Sequence, residues 1–366
     1  MKSLIDILDF STEEIQDLID TATDIIANPE KYENFCRGKK LATLFYEPST
    51  RTRLSFTAAM MELGGNVLGF SQAASSSVSK GESVADTAKI VSNYADIIAI
   101  RHSLEGGSLV ASINAKVPVI NAGDGSHSHP TQTLADILTI YRTKGRLDHL
   151  KIGLCGDLIY GRTVHSLIRC MSRYPANEFV LVSPEELALP DYIKKNVIDR
   201  QGLSCREESS LEKAISDGLD ILYMTRIQKE RFDDLAQYER LKDSYILTAE
   251  KMKAADKDMY ILHPLPRVNE ISVDVDEDPR AVYFDQALNG KFMREALILY
   301  LLEEAKKNPQ REVGKKDIGE KADFHCHNSK CIITKEQELE ERFYRDDFGK
   351  VRCAYCESTV GEEKEG

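Results

Sequence analysis

Tryptophan is absent from the 366 residues, an absence that excludes nothing. Other absences are more informative. No window approaches the roughly 18 uninterrupted apolar residues of a membrane-spanning helix. Met1-Lys2-Ser3-Leu4-Ile5-Asp6-Ile7-Leu8-Asp9 is broken by Asp6 and Asp9 before the apolar region of a secretory leader can form. The expected compartment is the cytoplasm. Basic charge is in deficit, with 48 Lys and Arg against 60 Asp and Glu and a formal net charge of -12. A broad basic face for nucleic acid is therefore disfavoured.

The length calls for more than one core. Over residues 39–145 short apolar runs alternate with helical periodicity, beginning with the buried-strand pattern Lys40-Leu41-Ala42-Thr43-Leu44-Phe45. The alternation restarts at Lys151-Ile152-Gly153-Leu154-Cys155-Gly156. Strands separated by helices predict parallel sheets. The expected fold is α/β: two parallel-sheet domains linked by long helices, with a small, β-rich C-terminal zinc-binding module. The expected boundaries are 1–145, completed by a helix over 288–307, then 146–287, a charged linker over 308–321, and the module over 322–366.

Four cysteines (Cys36, Cys155, Cys170 and Cys205) are scattered, as reduced buried thiols of a cytosolic protein are. The other four form two close pairs, Cys326-x4-Cys331 and Cys353-x2-Cys356. Four thiolates so paired make a tetrahedral zinc set, and a stretch of about 40 residues has too little core to fold without such a staple. His325 and His327 are alternative ligands. A redox Cys-x2-Cys pair is the other reading of Cys353 and Cys356, against which the second pair argues.

After the first strand stands Tyr46-Glu47-Pro48-Ser49-Thr50-Arg51-Thr52-Arg53, opening a helix. Helix N-terminal amides and the helix dipole favour an anion there. Ser49, Thr50 and Thr52 add hydroxyls, and Arg51 adds a planar fork that suits phosphate. The alternative is a plain Ser-Thr helix cap, but a cation at a helix N-terminus is unfavourable without an anion to meet it. Gly156-Asp157-Leu158-Ile159-Tyr160-Gly161 lacks the glycine spacing of a dinucleotide site.

Phe45 to Arg53, His129-Pro130-Thr131-Gln132, Asp157 to His165 and His263-Pro264-Leu265-Pro266 together resemble, in order, the four signatures of the transcarbamylase family. The resemblance covers about residues 1–306. It implies that Ser49, Thr50, Arg51 and Thr52 bind the phosphate of carbamoyl phosphate, joined by Arg101. On its own, Arg101 is equally a solvated strand-end charge. His129 is implied as the donor to the carbamoyl oxygen and Gln132 as the partner of the carbamoyl amide. Read alone, His129 is a residue placed before the Pro130 of a helix start. Lys80 and Ser76 lie in a Ser-rich loop that, in the family, reaches a neighbouring subunit's site. The register at Lys80-Gly81-Glu82 fixes Lys80, whereas Ser76 competes with Ser75 and Ser77. The implied assembly is a homotrimer with shared active sites.

Met224-Thr225-Arg226-Ile227-Gln228 resembles the aspartate rather than the ornithine enzymes, as does Pro264 where ornithine enzymes carry Cys. Arg162, Arg226 and Gln228 are implied to hold the acceptor's two carboxylates, and Pro264 and Leu265 to offer carbonyls to its amine. The implied reaction needs no organic cofactor. Two positions depart from the pattern, Asn269 for an Asp and Gln237 for a Glu. The segments around Cys331 and Cys353–Cys356 resemble the zinc domain of the aspartate carbamoyltransferase regulatory chain. Its larger nucleotide-binding domain has no room in the linker. The module is expected to brace a higher assembly.

Overall fold

The computed structural model describes all residues except 76, 228–234, 242, 244, 310–318, 337 and 361–366, together with all side chains of the described residues except those of 75, 235 and 237. The chain divides into two units. One comprises Met1–Phe10, Asp20–Thr131 and Arg294–Gly366, the other Ser11–Ile19 and Gln132–Met293.

In the first unit, β1 (Lys40–Phe45), β2 (Asn66–Phe70), β3 (Ile97–His102) and β4 (Val119–Asp124) form a parallel sheet in the order β2-β1-β3-β4. β3 and β4 are buried along their whole length and β1 from Leu41 onward, as expected of strands covered on both faces. The same unit holds α2 (Thr50–Glu62), α3 (Val84–Val91), α4 (Gly107–Asn114), the end of α1 (Thr12–Ala27) from Asp20 and the start of α5 (Pro130–Lys144). Strand order reverses between β1 and β3, which makes their carboxyl ends a switch point where α/β sheets bind ligands.

The second unit repeats the design. β5 (Lys151–Cys155), β6 (Glu178–Val182), β7 (Ser204–Glu208), β8 (Ile221–Met224) and β9 (Tyr260–Leu262) run parallel in the order β7-β6-β5-β8-β9. Around them lie α6 (Arg162–Met171), α7 (Asp191–Ile193) with a π-helical continuation over Lys194–Ile198, α8 (Leu211–Ser216), α9 (Leu235–Leu241) and α10 (Ala249–Met252). The switch point falls between β5 and β8.

The closing helix α11 spans Tyr283–Lys307, starting before the expected 288–307. Asn289, a residue suited to turns, is buried in the helix. Its amide donates to Thr139 Oγ1 at 2.9 Å and its carbonyl accepts from Arg142, so its side chain is satisfied by α5. No described helix is long and apolar enough to cross a membrane.

The C-terminal module carries an antiparallel pair, β10 (Phe343–Arg345) and β11 (Val351–Cys353). Cys331, Ile332, Phe343, Tyr355 and Val360 share one apolar cluster with Val84, Ala85 and Ala88 of α3 and Leu109, Val110 and Ala111 of α4. Gly106 stands at the contact with φ +88°, where a Cβ would lie 2.7 Å from Tyr355 Cβ and 2.8 Å from its carbonyl oxygen. A glycine therefore meets both the backbone and the packing requirement. The expected architecture of two parallel-sheet α/β domains with a small β-containing module is the one observed.

Candidate functional site

In the first unit the anion motif follows β1 directly. Ser49 is the N-cap of α2, in extended conformation, but its side chain makes no capping hydrogen bond. Thr50, Arg51 and Thr52 form the first turn, which contains no acidic residue. The amides of such a turn have no partner within the helix. Pairing of β1 with β3 sets Arg101 beside Phe45, and Tyr46 N–H donates to the Arg101 carbonyl at 2.8 Å. The sheet thus brings Arg101 to the motif.

Arg101 is buried. Nη2 meets Glu47 Oε2 at 2.8 Å and Nη1 donates to the Ala122 carbonyl at 3.3 Å. Burial pulls its pKa down, opposed by the Glu47 carboxylate. Its Nε is buried and makes no hydrogen bond among the described residues, an incompletely satisfied donor of the kind that marks binding sites. His129, also buried, precedes α5. Gly123, with φ +120°, separates the two: a Cβ there would stand 2.8 Å from Arg101 Nη1 and 3.5 Å from the His129 ring. Any side chain at 123 would push apart the two groups expected to share one substrate. Lys80 is exposed at the end of the 3₁₀ turn Ser77–Lys80. Ser76 lies outside the described residues.

The turn before His129 is organised by Asp124, a buried carboxylate that sequence reasoning passed over. It accepts from Ser128 N–H at 3.1 Å, Gly106 N–H at 3.2 Å and the Asn121 amide at 3.2 Å, and it faces His127 Nδ1 at 3.3 Å. The other His127 nitrogen faces Glu357 of the module at 3.5 Å. Two carboxylates hold the His127 pKa above its usual value, although burial works against them.

In the second unit, Arg162 opens α6, Arg226 follows β8, and Pro264 and Leu265 follow β9. All lie beyond the carboxyl ends of adjacent strands. Gln228 lies outside the described residues. Asp136 forms a hub: it accepts from Gln132 Nε2 at 2.8 Å, Gln286 Nε2 at 2.6 Å and the Tyr223 hydroxyl at 3.0 Å. Gln286 in turn accepts from His263 N–H at 2.8 Å. His263 Nδ1 accepts from Leu265 N–H at 2.7 Å, and its Nε2 meets buried Glu270 at 2.7 Å. Gln132 and the Pro264-Leu265 turn are therefore held by one network. Leu265 has φ +51°, a strained position for a non-glycine residue. Asn269 donates to Asp243, and the Gln237 side chain lies outside the described residues.

The end of that turn is pinned by Arg267, paired with Asp276 through both guanidinium nitrogens. The Arg267 hydrogen bond holds the Asp276 pKa below its ordinary value against partial burial. A depressed carboxylate contributes stability above its unfolded pKa of about 3.9 and loses it as pH falls through the folded value. Asp276→Asn should therefore be less stable than the parent at pH 7. The difference should shrink below about pH 4. Urea unfolding at pH 7 and pH 3 reads this directly, and an equal difference at both would reject the pairing.

The sulfurs of Cys326, Cys331, Cys353 and Cys356 all lie within 4.8 Å of one another, with Cys326–Cys356 at 3.6 Å and Cys331–Cys353 at 3.8 Å. A tetrahedron of Zn–S bonds of about 2.3 Å has edges near 3.8 Å, so the set fits that ion. Neighbouring thiols, chiefly Cys326, push Cys331 and Cys353 up, a crowding that a bound cation would relieve. His325 and His327 are exposed and lie outside the cluster, with His325 turned to Glu341 at 2.7 Å.

The sequence profile of the aspartate/ornithine carbamoyltransferase carbamoyl-phosphate-binding domain matches residues 2–142, and that of its Asp/Orn-binding domain matches 148–301. The chain belongs to the aspartate/ornithine carbamoyltransferase family. Residues 320–365 match the metal-binding domain of the aspartate carbamoyltransferase regulatory chain. Among carbamoyltransferases, the chain is 61% identical over 302 residues to the aspartate carbamoyltransferase catalytic subunit of Lachnoclostridium phytofermentans, covering 82% of this chain and 98% of that protein. It is 60% identical over 301 residues to that of Clostridium novyi, with the same coverage. Among solved carbamoyltransferase structures, the catalytic subunit of M. jannaschii aspartate transcarbamoylase aligns with TM-score 0.78 and 47% identity, over 84% of this chain and all of that one. The Trypanosoma cruzi enzyme in complex with carbamoyl phosphate and aspartate aligns with TM-score 0.77 and 37% identity, over 82% of this chain and 96% of that one.

Proposed function

We propose that the chain is an aspartate carbamoyltransferase. It transfers the carbamoyl group of carbamoyl phosphate to the α-amine of L-aspartate, giving N-carbamoyl-L-aspartate and phosphate, in de novo pyrimidine biosynthesis. The observation that carries this reading is the approach of buried Arg101 and His129 across Gly123, at the carboxyl end of the sheet that also presents Ser49 to Thr52. In this reading, the α2 amides, Ser49, Thr50, Arg51, Thr52 and Arg101 hold the phosphate. His129 donates to the carbonyl oxygen as charge develops there, and Gln132 holds the carbamoyl amide. Arg162, Arg226 and Gln228 take the two carboxylates of aspartate, and the Pro264 and Leu265 carbonyls receive its amine. Catalysis comes from holding two anions together for direct attack and from stabilising the carbonyl oxygen. The leaving phosphate accepts the amine proton.

Lys80 and Ser76 complete a neighbour's site in a homotrimer, and the module braces a further assembly. Zn²⁺ in the four-cysteine set serves structure alone, by neutralising the thiolates. The chain works in the cytoplasm, where thiols stay reduced.

Incubating the full chain with carbamoyl phosphate and either aspartate or ornithine tests the reading. Carbamoyl-aspartate should form and citrulline should not, because two arginines oppose a cationic side chain. Citrulline formation at a comparable rate would overturn it.

A further inference from the structure

Glu336 belongs to none of the motifs that the activity uses. It follows the 3₁₀ turn Ile332–Thr334, whose N-cap is the metal-site Cys331. Its carboxylate accepts a hydrogen bond from Val84 N–H, the first residue of α3. Ser83 caps the same helix by accepting from Asp86 N–H at 3.1 Å. α3 therefore has two acceptors at its start, one local and one supplied by the module. A carboxylate is favourable at that end of a helix, and it satisfies an amide with no partner inside the helix.

Lys80 lies just upstream of this helix start, with only Gly81, Glu82 and Ser83 between. Glu82 is itself tied to α3 through Thr87 Oγ1 at 2.7 Å, so the end of the Lys80 loop and the first turn of α3 form one unit. The segment that carries Glu336 is anchored independently. Glu105 N–H donates to the Lys330 carbonyl at 2.8 Å, Ile332 N–H donates to the Glu105 carbonyl at 2.9 Å, and the Asn328 amide donates to the Glu105 carboxylate at 2.7 Å. Glu336 is thus fixed against the body of the unit and, in turn, holds α3.

We propose that Glu336 is a positioning residue for Lys80. It fastens the first turn of α3, sets the end of the Lys80 loop, and so links the metal module to the neighbour's substrate site that Lys80 completes. The proposal rests on the role given to Lys80 above. It assigns to the module an effect on catalysis at the neighbour's site that Lys80 completes, beyond bracing an assembly.

The test is a double-mutant cycle on the full, Zn²⁺-loaded chain: Glu336→Ala, Lys80→Ala and the pair, with Glu336→Gln as the conservative variant and exposed Lys335→Ala as a control. Loss of one hydrogen bond predicts a fall of about fivefold in kcat/KM for carbamoyl phosphate in Glu336→Ala. Gln keeps an acceptor oxygen and should restore most of it, and Lys335→Ala should match the parent. In the Lys80→Ala background the Glu336 substitution should add nothing, because the two act as one. Amide exchange over 77–91 should quicken in Glu336→Ala while bound zinc stays constant. If Glu336→Ala fails to retain metal, Glu336→Asp, shorter by one methylene, takes its place under the same criteria. An unchanged kcat/KM in Glu336→Ala, additive losses, or a Gln variant as impaired as Ala would overturn the proposal. An unimpaired Lys80→Ala would instead overturn the role of Lys80 itself, and the coupling with it.

Discussion

His129→Ala should lower kcat by about 10²- to 10³-fold, the range seen when a single oxyanion donor is removed. The reason is differential binding. A donor to the carbamoyl oxygen gains strength only as negative charge develops, so its loss falls on the chemical step more than on the bound ground state. The effect should be large because His129 and Arg101 are both buried, and a donor sheltered from water counts for more than an exposed one. Steady-state kinetics with carbamoyl phosphate and aspartate, together with equilibrium binding of carbamoyl phosphate, separate the two contributions. A kcat within tenfold of the parent would remove His129 from the reaction. A comparable loss in binding affinity would instead make it a ground-state contact.

Removing the metal should undo the module rather than merely empty it. Cys331, Cys353 and Cys356 sit inside the apolar cluster that joins the module to α3 and α4. Without a cation, four crowded thiols lose their staple, and a segment of about 40 residues has little else to hold it. Chelator treatment should therefore make four thiols newly reactive and expose the α3–α4 face to an apolar dye. The background should be low: burial pushes the Cys36 and Cys205 thiols up to about 11 and raises Cys155 further. Complete loss of metal with no gain in thiol titre would show that packing alone suffices. The same titration should return to its starting value when Zn²⁺ is restored.

Legibility from sequence followed the range of the interaction. β1 and β5 could be read because their apolar runs are local and bounded. β7 could not: Ser204-Cys205-Arg206-Glu207-Glu208 is a half-exposed edge strand with no apolar run. α1 was missed although Ile15, Leu18, Ile19, Ala22 and Ile25 are all buried at helical spacing, a signal present in the sequence. α4 opens on Gly106-Gly107 without a side-chain cap, which leaves no start signal to find. In the site, the residues recognised were those inside contiguous motifs. Asp136 was invisible because Tyr223 and Gln286, its partners, lie 87 and 150 residues away. Glu336 was invisible for a different reason: its partner is a backbone N–H 252 residues distant, and backbone groups carry no sequence signature.

The module's docking on α3 and α4 is an event within one polypeptide. Its binding equilibrium is unimolecular. The docked fraction is therefore independent of how much enzyme is present. Dilution to assay concentrations, which separates non-covalent subunits, leaves every copy carrying its own module in a one-to-one ratio fixed at synthesis.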